Sequence, residues 1–143
     1  MRIPVRILDP DLPLPRYASA GDAGLDLLSA ETISLEPGER TAVPTGLAVA
    51  IPEGYAGFVH ARSGRSLKEG LALANAPGLI DSGYRGEIKV IVVNLDRSSP
   101  IDISRGDKIA QLVVQPVEQV ELASVEELPS SDRGEGGFGS TGR

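Results

Sequence analysis

The sequence predicts an all-β protein built from about ten short strands. Three observations carry that expectation. Turn-forming residues are abundant, with 17 glycines and 11 prolines among 143 residues, and they leave only short runs between them. The runs are rich in Val, Ile and Leu, which suit a pleated, half-buried surface, whereas aromatic residues make up only 3%. No stretch carries an apolar repeat of 3.6 residues over the length of a helix. Periodicity alone does not choose among a sandwich, a barrel and a jelly roll. Sheet edges must be covered in each, and oligomerisation is one means.

The elements follow in order. Ile3 to Leu8 alternates apolar residues with Pro4 and Arg6, and reads as an edge strand because Pro4 has no N–H for a ladder. Pro10, Pro13 and Pro15 make an irregular arm, and residues 21–24 a turn. Residues 31–35 form a short strand closed by Glu36-Pro37-Gly38-Glu39, a sequence suited to a β-turn. Thr41 to Ile51 is strand-like, interrupted by Pro44 and Gly46, and Tyr55 to His60 is a further strand. Ser66 to Glu69 makes one short helical turn that Gly70 ends. Ile80 to Asn94 reads as a hairpin with its turn at Asp81-Ser82-Gly83 and its return strand at 87–93. Strands are expected at 101–103 and 108–117, with a last one at Val120 to Leu122. This divides the chain into a β core over residues 1–122 and a polar, Gly-rich C-terminal arm over 123–143, which has too few apolar residues to form a core.

Composition narrows the function. The absence of cysteine excludes disulfides and thiolate metal sites, and a single histidine, His60, excludes a His-rich metal centre. No run approaches the roughly 20 apolar residues of a membrane helix, and residues 1–10 show no apolar signal region, so a soluble cytoplasmic protein is expected. A net charge of −6 disfavours a nucleic-acid polymer as partner. A small anion is still accessible through local arginines and a metal.

Five segments offer chemistry. In the tail, Gly134, Gly136, Gly137, Gly139 and Gly142 permit converging backbone N–H groups, while Arg133, Ser140 and Thr141 add donors for phosphate. The match to a phosphate-binding P-loop fails because Ser140 stands where lysine is required. A flexible linker is the plain alternative, but Phe138 has no core to join there and suits stacking on a nucleobase. Asp81, at the tip of 78–88, suits a general base toward water as well as a simple turn. Tyr84 and Arg85 beside it offer a stacking surface and an anion partner. Ala61-Arg62-Ser63-Gly64-Arg65 places Ser63 as a helix N-cap with arginines nearby. Residues 24–27 and 106–112 each read as a turn feeding a strand. One histidine and no G-x-S-x-G elbow argue against a Ser-His-Asp hydrolase.

Taken jointly, the five segments resemble the five ordered motifs of the trimeric dUTPase family across residues 20–142. They run Ala20-Gly-Asp-Ala-Gly-Leu-Asp26-Leu, Ala61-Arg-Ser-Gly64, Asn75 through Ile88, Arg105 through Leu112, and Arg133 through Gly142. Ala61 stands where the family often has proline. The resemblance implies a jelly-roll fold with one short helix, and a homotrimer in which the C-terminal arm of one subunit closes a site formed by the other two. It implies cleavage of dUTP to dUMP and pyrophosphate by water attack on the α-phosphorus, which limits uracil in DNA and supplies dUMP for dTTP synthesis.

By the same resemblance, Asp81 activates the water and Asp26 holds Mg²⁺ through a water molecule. Arg62, Ser63, Gly64 and Gln111 contact phosphates, and Arg133, Gly139, Ser140 and Thr141 close over them. Lys89 is a further substrate contact. Asn75 and the backbone at Gly78, Leu79 and Ile80 read uracil, Tyr84 lies under the deoxyribose and excludes a 2′-hydroxyl, and Phe138 stacks on the base. Two other readings stay open: a dCTP deaminase, including its bifunctional dUTP-cleaving form, and a non-catalytic nucleotide-binding trimer.

Overall fold

Ten strands and one short helix make up the chain in the computed structural model, which describes residues 1–137. The strands are β1 (Val5–Ile7), β2 (Leu25–Leu28), β3 (Ile33–Leu35), β4 (Arg40–Val49), β5 (Tyr55–Ala61), β6 (Leu71–Leu73), β7 (Gly78–Ile80), β8 (Glu87–Asn94), β9 (Ile101–Ile103) and β10 (Lys108–Pro116), with α1 at Ser63–Glu69. One four-stranded sheet runs β1-β4-β8-β6 and the other β2-β10-β5-β7, while β3 and β9 form a separate pair. All pairings are antiparallel.

The two sheets face each other across a core of aliphatic side chains. On β8 the alternation is regular: Ile88, Val90 and Val92 are buried while Lys89 and Ile91 face out. Leu27, Leu35, Val43, Val59, Ile103, Ile109 and Leu112 complete the interior, and the buried apolar side chains are all Leu, Ile, Val or Ala among the described residues. The low aromatic content predicts such a core. Gly57 makes the tight approach between layers possible: a Cβ there would stand 2.7 Å from Ile51 Cδ1 and 3.1 Å from Leu112 Cδ1.

The longest strand, β4, is bulged. Pro44 pairs with Lys89 and Ala48 with Glu87, so residues 45–47 are more than the ladder accommodates. The Thr45 hydroxyl donates to the Ile88 carbonyl at 2.7 Å, and the Gly46 N–H donates to Glu87 Oε1 at 2.9 Å. These two bonds replace the ladder bonds that the bulge removes.

Four expectations change. The helix begins at Ser63, not Ser66, and its cap is Arg62, whose extended backbone (φ −90°, ψ 116°) provides no side-chain cap bond. Ser63 is therefore inside the first turn and is not the N-cap. Gly70 does end the helix in the left-handed region, at φ 76°. The segment 80–94 is not a hairpin: β7 pairs with β5, and β8 with β4 and β6. Both edges of β8 are thus taken, and residues 81–86 cross between sheets. Val120 to Leu122 forms no strand: it follows the end of β10, whose two edges are taken by β2 and β5, and pairs with no other strand. Finally, β6 is a strand that the sequence reading omits.

Candidate active site

Sheet pairing gathers one group of polar residues at the end of the β2-β10-β5 ladder. Asp26 on β2 lies directly opposite Gln111 on β10, and Gln111 opposite His60 on β5. Arg62 follows as β5 gives way to α1. The Asp26 carboxylate is buried, with 10% of its side chain exposed. Lys108 Nζ stands 2.7 Å from Oδ2, Arg62 Nη1 3.5 Å from Oδ1, and Gln111 Nε2 donates to Oδ1 at 3.4 Å. Burial pushes the carboxyl pKa up, but the Lys108 bond, the Arg62 and Lys108 charges and the Gln111 bond outweigh it and hold Asp26 below the usual carboxylate value. Gly24 admits Gln111 at close range, since a Cβ on it would lie 3.1 Å from Gln111 Cβ.

Arg65, one helical turn on, is engaged elsewhere. It pairs with Glu69, donates to the Asp102 carbonyl at 3.0 Å and lies 3.7 Å from Asp107. Arg65 therefore fastens α1 to the body of the protein, whereas Arg62 turns to Asp26. Ser63 and Gly64 are exposed beside Arg62, and the site of a Cβ on Gly64 has open space around it.

A second group lies around β7. Asn75, Gly78, Leu79, Ile80, Tyr84, Glu87 and Lys89 line a cleft of about 230 Å³. This is smaller than the roughly 300–1,000 Å³ of complete small-molecule sites, so it suits part of a ligand. Gly78 gives Asn75 its seat, because a Cβ would meet Asn75 Nδ2 at 3.3 Å. Gly86 does the same for Tyr84: a Cβ there would overlap the ring, 2.6 Å from Cζ. The Tyr84 hydroxyl donates to the Glu87 carbonyl at 2.8 Å. Asp81 is exposed immediately beyond Ile80, and its carbonyl accepts the Tyr84 N–H at 3.1 Å.

One chain does not bring these two groups together. Ile80 pairs with Gly57 and the register runs antiparallel, so Asp81 lies beside Ala56. Arg62 is six residues further along β5, a distance of roughly 20 Å at the usual strand rise. Arg133 sits in a turn over residues 132–135 whose described hydrogen bonds stay within 131–136. Phe138, Gly139, Ser140 and Thr141 lie outside the described residues.

Lys108 and Glu87 are absent from the residues picked by sequence. Lys108 was findable in principle, since its strand begins in the same segment as Gln111. Glu87 signals itself only through the β4 bulge, which no local pattern reveals.

Among the described residues no three His, Asp or Glu side chains gather to chelate a metal. The donor set of Asp26 and the Gln111 amide instead fits a hard ion that brings its own water and phosphate ligands.

Fold and site together define a class: jelly-roll β-proteins with a cation-lined carboxylate at one end of a sheet and a small cleft at the other. The particular family follows from comparison. The chain belongs to the dUTPase family, whose model matches residues 11–142. It is 58% identical over 142 residues to a deoxyuridine 5′-triphosphate nucleotidohydrolase of Thermobifida fusca, covering 99% of this chain and 79% of that one. A protein of the same name from Corynebacterium diphtheriae is 55% identical, over 98% of this chain and 92% of the other. Among solved structures, a mutant dUTPase of Staphylococcus bacteriophage 80alpha with dUpNHpp superposes with a TM-score of 0.90 at 36% identity, covering 99% of each chain. A mutant dUTPase from phage phi11 of S. aureus, described for its coordination of a structural Mg(II) ion, gives a TM-score of 0.82 at 35% identity, over 91% of this chain and 100% of that one.

Proposed function

We propose that this protein is a dUTP diphosphatase that hydrolyses dUTP to dUMP and pyrophosphate as a homotrimer, with each active site shared between subunits. The observation that carries this reading is family membership over nearly the whole chain, with the motif side chains intact. The roughly 20 Å between Asp81 and Arg62 within one chain supports the sharing. So does the cleft, which is large enough for a base and sugar but not for the triphosphate as well.

In this reading Asn75 and the backbone of residues 78–80 pair with the donor and acceptor edge of uracil. Tyr84 packs under the sugar, where a 2′-hydroxyl clashes with its ring. Asp81 of the same subunit takes a proton from a water that attacks the α-phosphorus in line, and the bond to the bridging oxygen of the β-phosphate breaks. No covalent intermediate forms. The neighbouring subunit supplies Arg62, with the Ser63 hydroxyl and the Gly64 backbone, against the phosphate oxygens. Lys89 adds a cation at the cleft.

Asp26 and Gln111 would hold a Mg²⁺ ion through its water ligands, and the ion, when bound, would offset the triphosphate charge and help fix its conformation. Because its cations keep Asp26 ionised, its carboxylate would accept hydrogen bonds from such waters. The arm over residues 123–143 closes the site: Arg133, Gly139, Ser140 and Thr141 over the β and γ phosphates, and Phe138 on the uracil, which excludes bulk water.

Steady-state hydrolysis of dUTP, UTP, dCTP and dTTP with Mg²⁺ tests the proposal. The expected result is pyrophosphate release from dUTP with strong preference over the other three. Ammonia release from dCTP points to the deaminase reading, and binding of dUTP without turnover points to a non-catalytic trimer. Either outcome overturns the proposal.

A further inference from the structure

Residues 81–86 carry the chain from one sheet to the other, and their shape rests mainly on bonds within the segment. Arg85 Nη1 donates to the Ser82 carbonyl at 2.6 Å and to the Tyr84 carbonyl at 2.8 Å. The Tyr84 N–H donates to Asp81, and its hydroxyl to the Glu87 carbonyl. Among the described residues, a single side-chain hydrogen bond joins 81–87 to another part of the chain, from the Gly46 N–H to Glu87 Oε1, beside the ladder pairing of Glu87 with Ala48 where β8 begins.

That anchor is firm. Gly46 sits inside the β4 bulge at φ +70°, a backbone region that side chains rarely adopt. A Cβ on it would lie 2.6 Å from Asp9 Cβ. Its carbonyl accepts the N–H groups of Leu8 and Asp9 at 2.7 and 3.2 Å. The bulge is thus fixed on one side by the β1 segment and on the other by Thr45, through its bond to Ile88. Glu87 joins this fixed point to Tyr84: its carboxylate takes the Gly46 amide, and its own carbonyl takes the Tyr84 hydroxyl.

We propose that Glu87 is a positioning residue that sets the discrimination between deoxyribo- and ribonucleotides. Clamped to the bulge, it fixes the height of the Tyr84 ring beneath the sugar. A ring free to sink by a fraction of an ångström admits the 2′-hydroxyl that the fixed ring refuses. The proposal rests on the dUTP reading given above. Glu87 acts through Tyr84 and not through contact with the nucleotide, since its carboxylate is turned to the bulge.

Three variants test it. Glu87→Gln keeps an Oε1 acceptor and is expected to keep the wild-type ratio of kcat/KM for dUTP over UTP. Glu87→Asp keeps the charge but is one methylene too short for the Gly46 amide, and Glu87→Ala removes the acceptor. Both should lower the ratio by roughly tenfold, the scale of one lost hydrogen bond. Calorimetric binding of non-hydrolysable dUTP and UTP analogues should show the same loss, with UTP gaining relative to dUTP. Thermal melts report folding, and if Glu87→Ala does not fold, the comparison of Asp with Gln carries the test. A purely structural role lowers both substrates together and leaves the ratio unchanged, which overturns the proposal. So does loss of the ratio in Glu87→Gln equal to that in Glu87→Asp. A wild-type protein that does not hydrolyse dUTP overturns the underlying reading instead, and this inference falls with it.

Discussion

If sites are shared between subunits, two inactive variants must rescue each other. Asp81→Ala removes the carboxylate proposed above to activate water, on the β7 side, and Arg62→Ala removes the proposed phosphate contact just past the other end of β5. The six residue steps from Ala56, beside Asp81, to Arg62 separate the two by roughly 20 Å in one chain, too far for both to touch one triphosphate. Each site must then take Asp81 from one subunit and Arg62 from a neighbour. In a cyclic trimer of the two variants, a site is competent only where an Arg62→Ala subunit supplies Asp81 and an Asp81→Ala subunit supplies Arg62. Every mixed trimer, whatever its composition, has one such site of three. Random 1:1 assembly therefore restores about one quarter of wild-type activity, and mixed trimers separated from the parents about one third, from closed threefold geometry alone. Co-expression with two affinity tags, purification of the mixed species and pyrophosphate release against each parent form the assay. No activity above the parents would show that both residues serve a site within one chain, and the reasoning from strand register would be refuted.

Other expectations follow from particular contacts. Gly57→Ala drives a Cβ to within 2.7 Å of Ile51 and should cost about 1–3 kcal/mol by overpacking, seen in calorimetry as a Tm lower by several degrees. Asp26 titrates below the ordinary carboxylate value of 3.8, so its ionised form stabilises the fold above that value and the benefit disappears as pH falls through the lower folded pKa. The unfolding free energy of Asp26→Asn in urea should accordingly trail wild type at pH 7 by about 1–3 kcal/mol, from cations left without their acceptor, and the gap should narrow near pH 3. Deleting residues from Asp132 onward should leave a core with unchanged circular dichroism and melting, but reduce turnover by roughly a hundredfold or more if the arm orients the substrate. Loss of folding in that truncation would assign the arm a structural role.

Strand existence was legible in the sequence, and strand partnership was not. The alternation from Ile88 to Val92 announces β8 because one of its faces is buried and period two follows from that. The same pattern does not say which strands flank it, so residues 80–94 read as a hairpin although β4 and β6 occupy both edges of β8. Val120 to Leu122 has strand composition, yet its ends are 77% and 91% exposed, and apolar composition alone does not bring a segment onto a sheet edge. Leu71 to Leu73 is too short to show a period at all. At the site, Asp26, Arg62 and Gln111 were recognisable from ordered motifs, and the sheet register explains why they meet. Lys108 and Glu87 make their contacts across strand pairings and a bulge, which are properties of the folded chain only.

The placement of Tyr84 has a practical consequence. The protein has no tryptophan and three tyrosines, and Tyr84 forms a wall of the cleft while Tyr17 and Tyr55 are absent from that lining. Intrinsic ultraviolet emission therefore originates from so few rings that one of them lies where a nucleobase and sugar would arrive. A Tyr84→Phe protein supplies the blank, and the difference between the two spectra turns the unlabelled molecule into its own optical gauge of occupancy.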